Sequence, residues 1–399
     1  MNQQPYDLAG LVARFRADIS KDEFHRGRDG RSGHVFVKQA RDGASARREF
    51  EALNLLAHAG GEALVPRPLA LRGRELRLEL VEGIRLYDLL RLFRQLGDRD
   101  VALRERASRA SLVLLGRCRA RLERMQGLLA AAAGGLSVGP YPCDVKVTGM
   151  FAMLSQLLGL PPLDAAETAE LGAFEARWAR EVSVPFRDAT PKNIIVAVES
   201  LAIGRHPSEA ARRAALARLL EEGGAEFWRS VPLLDIDFSS VEHLTTPEDD
   251  LVSLLAHESS FAAGFPAGAK VEDGPMGTAW PDPARAASSF FVRYLRFAGR
   301  KVAYRLINPL GGATRFRHDR FGFYFETLPG LLAALDPALA GAMPALLARW
   351  SAIGTAAAPF DVANGKGPDL YLQAIGRPVD YWQESPLELP ARPALAAAP

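Results

Sequence analysis

The sequence predicts an α+β fold, with a small β-rich N-terminal part carrying one helix and a much larger, mainly helical part behind it. Three observations predict it. Short β-prone runs cluster before Gly83, Leu- and Ala-rich helical periodicity dominates from Leu86 onward, and strand-like runs interrupt that helical region at Asn193 to Val198 and Leu233 to Phe238.

Taken in order, Val35-Phe36-Val37-Lys38 is rich in strand formers and follows the turn-prone Gly30-Arg31-Ser32-Gly33, which predicts a hairpin entering a strand. Ala46 to His58 then places Phe50, Leu53 and Ala57 at helical spacing between charges, and Gly60-Gly61 stops that helix. Beyond Pro66 and Pro68, Leu76-Arg77-Leu78-Glu79-Leu80 alternates like a half-buried strand and ends at Gly83. Helices fill Leu86 to about Arg180, with loops at Gly134-Gly135 and Pro161-Pro162. Between the two later strands, Ser208 to Glu222 reads as a capped helix ended by Gly223-Gly224, and Asp250 to Trp350 is again mostly helical. The expected division is residues 1–82, residues 83–380, and a Pro- and Ala-rich tail over 381–399 that is loose.

Composition narrows the class. The 399 residues are 48% hydrophobic, enough to bury one large core or two modest ones. A formal net charge of +2 with interleaved signs carries no footprint of a nucleic-acid binder. Cys118 and Cys143 lie too far apart for a redox or zinc motif, which suits a reducing cytoplasm. The stretch after Met1 lacks the basic-then-apolar pattern of a signal peptide, and no run of about 18 apolar residues is long enough to span a bilayer. The seven histidines have no metal-ligand spacing, and there is no Walker-type loop, nucleophile elbow or zinc-protease helix.

The chemistry is carried by Phe186-Arg187-Asp188-Ala189-Thr190-Pro191-Lys192-Asn193, which runs directly into the apolar Ile194-Ile195-Val196. A second apolar strand, Leu234-Asp235-Ile236-Asp237-Phe238-Ser239, ends in Asp-Phe. Upstream, Lys38 closes a β-run and Glu49 stands on the following helix, with Glu51 as the competing carboxylate. Any one of these has a plain reading, since Asp and Asn favour capped turns and a charge on a helix is usually solvated.

The order of the elements resembles the protein-kinase-like superfamily, and within it the aminoglycoside phosphotransferase and choline kinase group, over about Val35 to Asp250. The resemblance implies a two-lobed fold, with residues 1–82 as the nucleotide-binding lobe and 83–380 as the catalytic lobe, and ATP and Mg2+ as cofactors. It gives Asp188 the part of orienting and deprotonating an acceptor hydroxyl, and Asn193 and Asp237 the metal; Asp235 stays open as the alternative to Asp237. Lys38, held by Glu49, would grip the α- and β-phosphates. Apart from the resemblance, Lys192 beside Asn193 has two equal readings, neutralising charge on the transferred group or pointing into solvent. Leu78 to Gly83 looks like the family's hinge, which carries adenine contacts onto the backbones of Glu79 and Val81. Asp250-Leu251 matches a pair whose Asp braces the catalytic loop. Departures are Phe186 where the family has His, Ser239 after Asp-Phe, only Gly27, Gly30 and Gly33 in place of a glycine-rich phosphate loop, and about thirty residues inserted between the two metal-bearing strands.

The expected function is an ATP-dependent phosphotransferase acting on a hydroxyl of a small molecule such as a sugar, an aminoglycoside-like compound or an amino alcohol. About a dozen residues between Asp237 and Asp250 are too few for a protein kinase's peptide platform. A lipopolysaccharide or lipid-linked sugar kinase with peripheral membrane contact is the alternative, motivated by Arg293, Arg296, Arg300, Lys301 and Arg305 beside Phe291 and Tyr294; the same pattern reads as an amphipathic helix with a wet basic face. A nucleotide-binding pseudokinase acting as a scaffold is the non-enzymatic alternative, motivated by Phe186, Ser239 and the missing glycine-rich loop.

Overall fold

The computed structural model describes residues 30–32, 35–40, 42–60, 63–97, 100–132, 147–185, 187, 189–202, 208–238, 241, 244–255, 280, 282–307 and 321–357. The tail expected over 381–399 lies outside them.

The N-terminal part is a four-stranded antiparallel sheet in the order β1-β2-β4-β3, built from β1 (Gly30–Ser32), β2 (Val35–Gln39), β3 (Pro68–Arg72) and β4 (Glu75–Glu79). Between β2 and β3 runs α1 (Gly43–Ala57), whose N-cap Asp42 accepts a bond from the Ser45 amide at 2.8 Å. Ala46, Ala52, Leu53 and Leu56 form its buried face, and packing that face on the sheet fixes the helix's rotation.

A short β5 (Ile84–Arg85) then leads into α2 (Leu86–Gly97) and the long α3 (Val101–Ala132). Next come α4 (Gly149–Leu157), α5 (Ala165–Glu181), β6 (Val184–Pro185) and β7 (Ile194–Val196). The inserted stretch forms α6 (Glu209–Glu222) and α7 (Gly224–Ser230) before β8 (Leu233–Asp235) and β9 (Leu244–Thr245). The chain continues through α8 (Pro247–Leu255), α9 (Pro283–Ile307), α10 (Phe321–Leu335), α11 (Pro337–Ala342) and α12 (Pro344–Ala357). β5, β7 and β8 form an antiparallel sheet in the order β5-β7-β8, and β6 pairs with β9. This is the two-lobed α+β architecture of the kinase-like fold. Its helical lobe packs around aromatic side chains, with Phe174 4.6 Å from Phe291 and Phe325 4.6 Å from Trp350 between ring centroids.

α3 organises the molecule through its arginines, which donate to backbone carbonyls left open where neighbouring segments end. Arg106 reaches Leu220 O (3.3 Å) and Glu221 O (3.1 Å) at the end of α6. Arg117 reaches Trp228 O (3.1 Å) and Val231 O (2.5 Å) at the end of α7. Arg121 takes Ala63 O (3.0 Å) and Leu64 O (2.8 Å), and Arg124 takes Gly60 O, just beyond α1. The insertion is thus bound to α3, with Trp228 buried edge-on to Phe93 of α2 at 5.3 Å.

Two expectations need correction. Strands were expected over 193–198 and 233–238, but they are confined to 194–196 and 233–235; single ladder bonds follow at each end, from the Ala197 amide to Pro232 O and from the Ile236 amide to Asn193 O, before the Val198 amide turns back to Val196 O. Arg293 is neither a membrane-facing cation nor part of a wet face. It is buried in α9, with its Nε 2.8 Å from Asp249 Oδ1. The side chains of Arg296, Arg300, Lys301 and Arg305 lie outside the described set.

Candidate active site

Lys38 sits next to last in β2, opposite Leu76 of β4. Its Nζ lies 2.6 Å from Glu49 Oε1 and 2.8 Å from Asp237 Oδ1. Glu51 is exposed on the same helix, so the carboxylate paired with Lys38 is Glu49. Glu49 is itself buried, and its Oε1 also accepts the backbone amide of Phe238 at 3.0 Å. One carboxylate oxygen therefore ties the β2 lysine to the residue after Asp237.

Burial works against both charges here. It would lower the Lys38 ammonium, but the carboxylates of Asp237 and Glu49 outweigh it and hold Lys38 well above the usual lysine range. It pushes the Glu49 carboxyl up, opposed by Lys38 and by the Phe238 amide. The 2.6 Å contact and the second donor on the same oxygen favour the ionised pair.

Asn193 and Asp237 are brought together by strand register. Ile194 pairs with Asp235, and the ladder extends one step further because the Ile236 amide donates to Asn193 O at 2.9 Å. Asp237 follows immediately. The two aspartates have different environments: Asp235 is buried, with Arg121 at 3.8 Å and Arg187 at 3.9 Å, whereas Asp237 is 35% exposed at its side chain. Burial pushes Asp235 up against both arginines. Of the two, Asp237 alone combines access to solvent with the Lys38 contact. Its carboxylate and the Asn193 amide oxygen are hard donors of the kind magnesium takes, in the small number it takes from protein beside phosphate oxygens, so the residues fit that ion.

The loop before Asn193 is anchored on both sides. Arg187 is buried; its Nε lies 3.0 Å from Asp250 Oδ2, and its guanidinium stands 6.0 Å from the Phe238 ring centroid. Asp250 at the start of α8 thus engages the loop as expected, through an arginine that was visible in the motif but had been assigned no part. Ala189 is buried, and the Asn193 amide closes a turn on Thr190 O at 2.8 Å. Asp188, Phe186 and Ser239 lie outside the described residues, as do Gly27 and Gly33. Lys192 is exposed, with its Nζ 5.1 Å from the ring centroid of Tyr87 at the start of α2.

At the expected hinge, Glu79 ends β4 and its amide is already engaged, donating to Arg67 O at 2.9 Å. Val81 follows in the irregular stretch leading to Gly83 and β5. Gly83 lies against β7 so closely that a Cβ would sit 2.3 Å from Val196 O.

Residues 12–203 match the model of the phosphotransferase enzyme family, which belongs to the protein-kinase-like superfamily. The match covers nearly half of the chain and includes Lys38, Glu49 and the 186–193 loop; Asp237 and Asp250 lie beyond it and join the site through the contacts above. No curated protein and no solved structure matches the chain. Among the described residues no helix is long and apolar enough to cross a membrane, and no group of three or more His, Cys, Asp or Glu side chains could hold a metal by itself.

Proposed function

We propose that this protein transfers the γ-phosphoryl group of ATP to a hydroxyl of a small molecule, as the match of residues 12–203 to the phosphotransferase enzyme family suggests. The observation that carries the reading is the meeting of Lys38, Glu49 and Asp237 within 2.8 Å, beside the register that sets Asn193 opposite Ile236, the residue before Asp237. Lys38 holds the α- and β-phosphates, and Glu49 keeps its long side chain aimed. Asn193 and Asp237 hold Mg2+, which when bound neutralises charge on the phosphate oxygens. The carbonyl of Glu79 and the backbone of Val81 receive adenine.

Asp188, carried between the buried Arg187 and Ala189, orients the acceptor hydroxyl and accepts its proton. The hydroxyl oxygen bonds to the γ-phosphorus, the bond to the β,γ-bridging oxygen breaks, and ADP leaves with that electron pair. Lys192 offsets negative charge on the group in flight. The acceptor class is a sugar, an aminoglycoside-like compound or an amino alcohol, in a cytoplasmic setting. The lipid-linked alternative loses the support it drew from Arg293, which is committed to Asp249.

The test is ATP consumption by purified protein with Mg2+ across a metabolite library. Turnover with one acceptor class, abolished in Asp188→Ala with ADP binding intact, is the expected result. Nucleotide binding with no turnover on any acceptor would replace the enzyme with the scaffold reading.

A further inference from the structure

We propose that Arg121 is a positioning residue for phosphoryl transfer, one that sets the distance between the Lys38–Glu49 side of the site and the Asn193–Asp237 side; this rests on the function proposed above. Arg121 lies in the second half of α3, outside all the elements that carry these four residues. It is buried, and its planar fork spends two N–H groups on adjacent carbonyls, Ala63 O and Leu64 O. Those carbonyls belong to the segment that joins α1, which carries Glu49, to β3. The Leu64 carbonyl has a second donor, the backbone amide of Asp235 at 3.0 Å. The Asp235 carboxylate in turn stands 3.8 Å from the Arg121 guanidinium.

A closed circuit results. From Arg121 one path runs through 63–64 and α1 to Glu49 and Lys38. The other runs through Asp235 in β8 to Asp237, two residues on, and across the β7–β8 register to Asn193. The Lys38–Asp237 contact and the Phe238–Glu49 bond close the circuit on the active-site side. Without Arg121, the Leu64 carbonyl keeps the Asp235 amide and the Ala63 carbonyl loses its guanidinium donor, α1 gains freedom to shift against β8, and Lys38 and Asp237 lose their common frame. Arg106 offers an internal control, since it too reaches two adjacent carbonyls from α3, through Nη1 alone and from an exposed position, and those carbonyls belong to the end of α6.

The probe is ADP, titrated calorimetrically with Mg2+ and again in chelator. Wild type should bind ADP more tightly with Mg2+, because Lys38 and Asp237 act together on one metal–diphosphate. Arg121→Lys keeps the charge and loses the fork, and should shrink that magnesium enhancement roughly tenfold while changing ADP affinity in chelator little. Arg106→Lys should lower the unfolding temperature and leave the enhancement at its wild-type value. An unchanged enhancement in Arg121→Lys, or an equal loss in Arg106→Lys, overturns the proposal. Should Arg121→Lys not fold, the double variant Arg121→Gln with Asp235→Asn removes both charges together, and the same loss is expected of it. If that too does not fold, Arg121 serves the core alone and the proposal falls. Absence of magnesium-enhanced ADP binding in wild type would instead sink the functional reading.

Discussion

Lys38 and Asp237 are 199 positions apart in the chain and 2.8 Å apart in space. The ammonium between Asp237 and Glu49 is the main favourable charge for a glutamate that is 1% exposed.

Lys38→Met should therefore do two things. It should abolish measurable ADP binding, and it should cost roughly 3 kcal/mol of stability by stranding Glu49 without its cation. The double variant Lys38→Met with Glu49→Met should recover most of the stability and none of the binding. Chemical denaturation beside a nucleotide titration separates the two effects; equal stability of wild type and Lys38→Met would show that the pair contributes nothing net.

Gly83→Ala should destabilise by roughly 2 kcal/mol, since its Cβ would meet a backbone carbonyl that cannot swing aside. The strain falls where the hinge stretch crosses β7, so weakened ADP binding should accompany the lower urea midpoint. A midpoint equal to wild type would mean the strand pair gives way freely.

Glu248, the second residue of α8, is buried, and its Oε2 has no hydrogen-bond partner among the described residues. Burial pushes its carboxyl up to about 7 from an ordinary 4.5, with Arg285 opposing and Asp282 and Glu181 assisting. The folded state thus holds a proton that the unfolded chain releases between those values, so the contribution of this carboxyl to stability is full below pH 4.5 and is lost as pH rises through 7. Glu248→Gln should match wild type near pH 5 and exceed it by roughly 1–3 kcal/mol at pH 8. Denaturation midpoints across that range check it; parallel curves for the two proteins would refute it.

The sequence made the first layer of the site readable because the signals there are local. An apolar run ending in Lys, a helix carrying Glu, and Asp and Asn bracketing the start of a strand can each be read within a dozen residues. Choosing Glu49 over Glu51, and Asp237 over Asp235, needed helix rotation and strand register, which only packing settles. The arginines of α3 gave no signal at all. A basic residue among leucines on a helix reads as solvated, and what buries Arg121 is a pair of carbonyls 57 and 58 positions upstream. Arg293 was misread for the same reason, its partner Asp249 lying 44 positions earlier on another helix.

The guanidinium grips of α3 have one more consequence. They recognise main chain, which every amino acid presents alike, so the side chains at 63, 64, 220 and 221 are free to drift as far as these bonds are concerned, while the arginines are not. Distant relatives of this fold could share the same scaffold with little trace of it in the segments being held, and a search for shared identity would overlook the half of each contact that carries no identity to share.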